Sequence, residues 1–240
     1  MKFSIIHPSR HRPSWCFDTM EKWLAMAENK DIEYIISLDY DDETLHQYKM
    51  EFLEHGKDVK MIYNDNRSAV GAINYAASCT TGDIIIVVSD DFSEPLQNWD
   101  RLILDEIGDR KDWILKTQDG QQPWIITLPI MDRAYYNRFG YVYYPEYLHL
   151  FCDTEMTNVA DYLDRKITSN LLFRHNHYTV TGHWDDLSVK SNQTWQQGEA
   201  LYLQRYRENF GIAAEDIKKV NFDNSHIQWL NSKGMQIPQL

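Results

Sequence analysis

Two adjacent aspartates, Asp90 and Asp91, come just after the most apolar run of the chain, Ile84–Val88, with only Ser89 between. A continuous β-branched run predicts a buried strand, which would hold the two carboxylates rigidly at its end. Mg²⁺ and Mn²⁺ are typically bound by one or two carboxylates together with phosphate oxygens. A cation at this position would neutralise a diphosphate leaving group. The alternative is an ordinary acidic turn, since Asp is common in turns.

Polar residues also close two other predicted strands. His7-Pro8-Ser9-Arg10 follows the first strand and Asp39 the second. Ligands of open parallel sheets bind beyond the carboxyl ends of the strands, so these residues would share one edge with Asp91. Asp39 could read the edge of a pyrimidine base, and Arg67, after the third strand, could reach the base or the phosphates. The alternatives are a loop start for Asp39 and a solvated loop charge for Arg67.

The first half of the chain alternates short apolar runs with segments of helical periodicity. This alternation indicates βαβ units and an α/β protein with a mainly parallel central sheet. The predicted strands are Phe3–His7, Glu33–Leu38, Val59–Tyr63 and Ile84–Val88, and the predicted helices are Trp15–Asn29, Glu43–His55 and Ser68–Cys79.

The second half is less regular, and residues 211–240 are polar and mixed. No internal repeat or Pro/Gly-rich linker interrupts the chain, so we expect one domain over residues 1–240. The predicted helices here are Trp99–Ile107, Asp132–Phe139, Asp153–Arg165 and Thr194–Asn209, and the predicted strands are Trp113–Thr117, Trp124–Pro129 and Leu171–His177.

Composition excludes several classes of protein. A hydrophobic content of 43% is that of a globular chain, and a net charge of −12 disfavours a nucleic-acid partner. Three cysteines without CxxC spacing give neither a disulfide framework nor a zinc site. We expect no signal peptide and no transmembrane segment, and hence a cytoplasmic protein with reduced thiols. The motifs GxGxxG, GxxxxGK[ST], GxSxG and HExxH are missing, which weakens dinucleotide oxidoreductases, P-loop enzymes, nucleophile-elbow hydrolases and zincins.

The combination of segments resembles the glycosyltransferase family 2 enzymes of GT-A fold. It rests on Pro8-Ser9-Arg10, Asp39, NRSAVGAIN (66–74) and GDIIIVVSDD (82–91), which ends in a DXD-like acidic pair. The match covers residues 3–91 well and the chain to about residue 210 more loosely. The resemblance implies Asp91 as a ligand of Mn²⁺ or Mg²⁺. It also implies contacts to a nucleotide sugar from Pro8, Ser9, Arg10, Asp39, Arg67 and Asp90, with Asp90 on the ribose or the metal.

A catalytic base is also implied by the resemblance. Family members carry a downstream Glu-Asp element whose Asp is the base of an inverting transfer, and FCDTEM (151–156) stands at that place. Cys152 replaces the usual Glu, so Asp153 would be the base, with Glu155 as the alternative. Asp153 would also suit the N-cap of the next helix, whose dipole would keep the carboxylate ionised.

A late histidine serves many GT-A enzymes as a metal ligand or a diphosphate contact. His175 and His177, on the predicted strand Leu171–His177, would point to one face. One of His175, His177 and His183 resembles that element, and we favour His177, with His175 as the other metal candidate. A structural role is the alternative for each.

The sequence thus predicts a single GT-A domain. Residues 1–91 would form the nucleotide-binding half, 92–210 the acceptor-binding half and 211–240 a C-terminal extension. The expected activity is a metal-dependent, inverting glycosyltransferase of hexosyltransferase type that moves a sugar from a UDP-sugar to an acceptor hydroxyl. The alternatives are a nucleotidyltransferase that makes a nucleotide sugar and a catalytically inactive GT-A-like module that binds a nucleotide or a glycan. The acceptor and the oligomeric state stay open.

Overall fold

The computed structural model describes residues 1–55, 59–65, 68–177, 182, 185–218, 220 and 222–236. Its strands are β1 (Phe3–Pro8), β2 (Ile32–Asp39), β3 (Val59–Asn64), β4 (Ile84–Val87), β5 (Ile114–Gln118), β6 (Ile130–Asp132) and β7 (Lys166–Leu172). They form one sheet in the order β3-β2-β1-β4-β6-β5-β7. Within it β6 is antiparallel to β4 and β5, and the other pairings of the described strands are parallel. The predicted α/β class with a mainly parallel sheet is confirmed.

Nine α-helices lie within the described residues. Several begin with the local signals that satisfy free N–H groups at a helix start. Proline opens the first helix, and the Ser68 hydroxyl accepts a hydrogen bond from the backbone N–H of Gly71. The helices are α1 (Pro13–Met26), α2 (Leu45–His55), α3 (Ala69–Ser78), α4 (Trp99–Ile107), α5 (Arg133–Phe139), α6 (Cys152–Tyr162), α7 (Asp186–Asn192), α8 (Trp195–Arg207) and α9 (Asn224–Ser232). Of these, α7 and α9 have no counterpart among the predicted helices.

Helices cover both faces of the sheet. Ile5 and Ile6 of β1 are both fully buried, but they pack into two different hydrophobic clusters. Successive strand side chains point to opposite faces, so a central strand covered on both sides carries no polar face. Trp23 of α1 lies in the Ile5 cluster, and Ile73 of α3 lies in the Ile6 cluster. The continuous apolar runs of the first half therefore reflect a three-layer α/β/α arrangement.

The strand predicted at Trp124–Pro129 is wrong. This segment is irregular, and β6 begins only at Ile130. Ile126 and Leu128 are buried, which explains the apolar alternation, but the backbone N–H of Ile126 donates to the Thr157 hydroxyl at 2.9 Å. A side chain of α6 thus replaces the partner that a neighbouring strand would supply.

The strand predicted at Leu171–His177 is also misplaced. The observed strand, β7, ends at Leu172 and pairs with β5 on one side only, at the edge of the sheet. An edge strand exposes polar side chains, so Lys166–Asn170 carries no apolar pattern to read. His175 and His177 consequently lie beyond the strand.

The C-terminal residues pack onto the same fold. α9 contributes His226 and Leu230, which are both buried, and Leu230 belongs to the cluster that contains Ile6. The division into residues 1–91, 92–210 and 211–240 stays a prediction. Among the described helices, none combines the length and the apolar character that crossing a membrane requires.

Candidate active site

Asp91 and His175 meet at the carboxyl edge of the sheet. Asp91 follows β4, and His175 follows β7, 84 residues later, with its Nε2 3.0 Å from Asp91 Oδ2. Backbone hydrogen bonds fix this approach, because the N–H groups of His175 and Asn176 donate to the carbonyls of Asp119 (3.0 Å) and Asp91 (2.9 Å). The ring of Phe92 stacks on His175 at 4.3 Å. Both polar side chains keep access to solvent, at 25% exposure for Asp91 and 16% for His175.

The electrostatics of this pair favour an ionised Asp91. Burial alone would raise the pKa of Asp91, but hydrogen bonds from His175 and Ser89 hold it well below its usual value. The ring of His177 lies 5.0 Å from that of His175, and burial together with the neighbouring His175 lowers the pKa of His177. At neutral pH the pair therefore offers a carboxylate, with a neutral imidazole of His177 beside it.

His149 belongs to the same cleft and was missed by sequence reasoning. Its Nδ1 lies 2.5 Å from the Ser191 hydroxyl of α7. Burial lowers the pKa of His149. The charge of Asp91 opposes this shift, and the charges of Arg12 and His175 add to it. A single histidine in the loop YLHLF has no spacing signal, so only the folded chain could identify it.

Asp153 lies in the first turn of α6, beside the cleft. The helix is capped by Phe151 in a left-handed conformation (φ 73°) rather than by Asp153, whose Oδ1 accepts from the backbone N–H of Thr154 at 2.8 Å. Burial raises the pKa of Asp153, and this outweighs the hydrogen bonds from Thr154 and the charge of His175. The expected N-cap role of Asp153 is wrong, because Phe151 holds that position, and desolvation raises the pKa of Asp153 despite its place in the first turn of α6. A carboxylate with a raised pKa is a stronger proton acceptor.

Glu155 turns to a different set of partners. Its two oxygens accept hydrogen bonds from Arg205 Nη2 (2.7 Å) and the Tyr147 hydroxyl (2.8 Å), and the residue is buried. Burial raises its pKa, with Arg205 opposing the shift. We call this group, which binds α6 to α8, the Glu155–Arg205 pair. Both carboxylate oxygens are already occupied, which leaves Glu155 poorly suited to accept a substrate proton.

Asp39 ends β2 with one oxygen engaged and one open. Its Oδ2 accepts from Arg10 Nη1 at 2.8 Å, and the same nitrogen binds Asp41 at 2.5 Å. The other oxygen, Oδ1, is buried and has no hydrogen-bond partner in the described part of the chain. A buried carboxylate oxygen without a donor is costly, so this atom marks a place where a ligand donor would stabilise the fold. The rings of Tyr63 and of Tyr40, which follows Asp39 in the chain, stack on each other with their centroids 6.1 Å apart.

Of the other predicted residues, one lies on β1 and two lie beneath the edge of the sheet. Pro8 is the last residue of β1 and pairs with Ser37 of β2. Ser9 and Asp90 hydrogen-bond to each other beneath the edge rather than at its surface, with Ser9 Oγ 2.9 Å from Asp90 Oδ1. Arg67 and His183 lie outside the described residues.

Comparison with known proteins identifies the family of the chain. The sequence model of glycosyl transferase family 2 matches residues 4–152, well over half of the chain. The chain therefore belongs to the glycosyl transferase family 2. No curated protein sequence matches the chain.

Solved structures of several glycosyltransferases share the fold. Glucosyl-3-phosphoglycerate synthase from Mycobacterium tuberculosis, solved with UDP, superposes with a TM-score of 0.62 at 12% identity, covering 85% of this chain and 79% of that one. A mannosyltransferase from Pyrobaculum calidifontis, solved with GDP-Man and Mn²⁺, gives 0.56 at 9% identity, covering 96% and 79%. TarS 1–349 from S. aureus gives 0.50 at 15% identity, and the aligned region covers 71% of this chain but only 58% of that one. At such low identity these structures establish a GT-A fold and leave donor and acceptor to be argued from the site.

Proposed function

We propose that this chain is a metal-dependent, inverting glycosyltransferase of hexosyltransferase type that moves a sugar from a UDP-sugar to an acceptor hydroxyl. The observation that carries the proposal is the contact between Asp91 and His175, 3.0 Å apart at the sheet edge. Asp153 lies beside them, close enough for the charge of His175 to affect its pKa. The cytoplasmic location stays a prediction.

The residues at this edge fit a divalent cation. Asp91 and His175 supply an oxygen and a nitrogen, and His177 lies next to them. Carboxylate ligands suit Mn²⁺ and Mg²⁺, and imidazole favours Mn²⁺ of the two. A depressed pKa keeps Asp91 in the form that binds a cation. Such a cation, when bound, would neutralise the charge that develops on the departing diphosphate.

Asp39 is suited to read a uracil base. It has one free buried oxygen, since Arg10 already occupies the other. Uracil presents a single ring N–H, which matches one free acceptor, whereas guanine presents an N–H and an amino group side by side. Selection by a buried acceptor is strong because the wrong base leaves it unpaired.

Asp153 would accept the proton of the acceptor hydroxyl. The hydroxyl oxygen attacks the anomeric carbon, the bond to the diphosphate oxygen breaks on the opposite face, and the proton passes to Asp153. Burial, which raises the pKa of Asp153, makes it a better proton acceptor than an exposed aspartate.

The two alternatives are a nucleotidyltransferase and a catalytically inactive binding module. A nucleotidyltransferase normally carries a Gly-rich basic loop after its first strand, and Pro8–Arg12 contains no glycine. An inactive module would bind a nucleotide without turning over a donor.

The test is thermal unfolding of the wild type and of Asp91→Asn with UDP, GDP or Mn²⁺, separately and together. A ligand present at 100 times its Kd stabilises the fold by about 2.7 kcal/mol. We expect UDP with Mn²⁺ to raise the midpoint of the wild type more than GDP with Mn²⁺ does. Asp91→Asn should lose the Mn²⁺-dependent part of the shift, measured against its own ligand-free midpoint.

Turnover then separates an enzyme from a binding module. Slow release of UDP from UDP-glucose or another UDP-hexose, dependent on Mn²⁺ and absent in Asp91→Asn, would support a transferase. Tight UDP binding without hydrolysis of any UDP-sugar would favour the inactive module. No effect of UDP and Mn²⁺ on the wild type would overturn the proposal.

A further inference from the structure

Asp90 faces away from the edge that Asp91 occupies. Its side chain is 5% exposed, against 25% for Asp91. Oδ1 accepts hydrogen bonds from His7 Nε2 and Ser9 Oγ, both at 2.9 Å, and Arg12 Nη1 lies 3.7 Å from Oδ2. The two adjacent carboxylates therefore have different surroundings, and only that of Asp91 is open to a ligand.

The donors around Asp90 form two hydrogen-bonded chains that both end on its carboxylate. In the first, the backbone N–H of Arg12 donates to the Tyr48 oxygen (3.1 Å), the Tyr48 hydroxyl to Ser9 (2.8 Å) and the Ser9 hydroxyl to Asp90. In the second, His7 Nε2–H donates to Asp90 (2.9 Å), and Nδ1 on the other side of the ring lies 2.8 Å from the Tyr34 hydroxyl. A carboxylate only accepts, so His7 and Ser9 both donate to Asp90, and Ser9, whose single hydroxyl proton is used there, accepts from Tyr48. A fully satisfied buried network of this kind is rigid.

A metal site does not explain this cluster. His7, Cys16 and Asp90 are buried with their potential ligand atoms within 4.8 Å of one another. However, Asp90 contacts Nε2 of His7, while Cys16 Sγ lies 3.8 Å from Nδ1, on the other side of the ring. Burial also raises the pKa of the Cys16 thiol well above its usual value, which opposes the thiolate that a metal needs. The three residues are therefore arranged for hydrogen bonding.

The network fixes the segment Ser9–Arg12, which we call the nucleotide loop. Two guanidinium groups leave this loop in different directions. Arg10 binds Asp39, which we propose to contact the uracil base. Arg12 binds Asp185, the N-cap of α7, with its Nε 2.8 Å from the Asp185 carboxylate. A shift of the nucleotide loop would therefore change both the Arg10–Asp39 contact and the Arg12–Asp185 contact.

We infer that Asp90 is a positioning residue, which holds the nucleotide loop through Ser9 and His7, while Asp91 of the pair provides the carboxylate for the cation. This inference rests on the proposed function and replaces the expected contact of Asp90 with ribose or metal. Asp90 acts on the donor through Arg10 and Asp39. Loss of its charge changes donor affinity and leaves cation affinity intact.

The experiment compares Asp90→Asn with the matched variant Asp91→Asn and with Ser9→Ala. UDP affinity and Mn²⁺ affinity in the presence of UDP are measured separately by calorimetry and Mn²⁺ electron paramagnetic resonance. We expect Asp90→Asn and Ser9→Ala to weaken UDP binding about tenfold each and to change the Mn²⁺ Kd less than twofold. The double variant should be no weaker than either single one, because the two residues act through one contact. Asp91→Asn should show the opposite split.

Backbone amide exchange of the ligand-free proteins gives a second readout. Asp90→Asn and Ser9→Ala should speed exchange at Ser9–Arg12 at least tenfold and leave Ile84–Val87 of β4 unchanged. Loss of Mn²⁺ binding in Asp90→Asn equal to that in Asp91→Asn would overturn the inference, as would unchanged exchange in the loop. If the wild type binds neither UDP nor Mn²⁺, the proposed function fails, whereas the exchange data still decide whether Asp90 holds the loop.

Discussion

Asp153 and Glu155 lie in the same first turn of α6, and burial raises the pKa of both carboxyl groups, yet the two groups have opposite surroundings. Asp153 lies close enough to His175 for that charge to affect its pKa, and its side chain accepts hydrogen bonds from the neighbouring Thr154. Glu155 has both oxygens occupied by Arg205 and Tyr147.

This comparison separates a perturbed pKa from a functional site. Desolvation perturbs both carboxyl groups, so the shift alone identifies neither as catalytic. Remaining acceptor capacity and access distinguish them, because a base must reach the proton of a substrate. The open cleft is therefore the candidate for chemistry, and the Glu155–Arg205 pair is the candidate for stability.

Asp153→Asn tests the carboxyl group beside the cleft and should have the largest effect on activity. Asn is nearly isosteric but accepts no proton, so transfer to an acceptor should fall by about 10²–10⁴-fold. UDP affinity and the unfolding midpoint should stay close to those of the wild type. Transfer rates measured against UDP binding check this, and a variant that retains more than a tenth of the activity would move the base elsewhere.

Arg205→Leu tests the Glu155–Arg205 pair through the stability of the fold. Removing one member of a buried ion pair leaves an unpaired charge and should cost about 3–5 kcal/mol in the free energy of unfolding, measured by urea denaturation. The double variant Glu155→Met/Arg205→Leu should recover most of that loss, because no charge is left unpaired.

The exposed pair Arg101–Asp105 provides the control for that experiment. Its side chains are 62% and 57% exposed, and Arg101→Leu should change the free energy of unfolding by less than about 1 kcal/mol. Transfer per folded molecule should be unaffected in both Arg205→Leu and Arg101→Leu. A loss of turnover in folded Arg205→Leu would place the Glu155–Arg205 pair in the chemistry.

A smaller effect than that of Arg205→Leu is predicted for the pH dependence of stability due to His226, which contacts Tyr202 of α8. Burial lowers its pKa to about 4, and its Nε2 accepts from the Tyr202 hydroxyl at 2.9 Å. The unfolded chain binds a proton at this residue near pH 6.5, whereas the folded chain resists it until about pH 4. Its contribution is therefore complete above about pH 6.5 and is lost as the pH falls, by about 2–3 kcal/mol at pH 4.

Denaturation curves between pH 7 and pH 4 measure this loss. His226→Gln keeps a hydrogen-bond acceptor for Tyr202 without a titrating group, so its stability should depend less on pH over that range. Equal pH profiles for the variant and the wild type would show that other groups cause the acid sensitivity.

Sequence patterns predicted the elements whose local signal agrees with their environment. β1 to β4 and α1 to α4 appeared at the expected positions because buried central strands read as continuous apolar runs and the helices between them read as 3.6-residue periods. The same reasoning failed for Trp124–Pro129, where burial imitates a strand, and for β7, whose edge position hides it. Asp39 and Asp91 could be singled out because each closes a predicted strand, although their roles stay predictions.

The order of residues along the chain by itself determined the central parallel sheet and the polar character of its carboxyl edge, since both depend on neighbours in sequence. Only the tertiary structure decided which of two adjacent aspartates faces the cleft, and which of two carboxylates on one helical turn keeps a free oxygen. Those choices depend on His175, Ser9 and Arg205, which lie 84, 81 and 50 residues from their partners. Contacts across such separations leave no local pattern, so they emerge only when the sheet closes and brings its strand ends together.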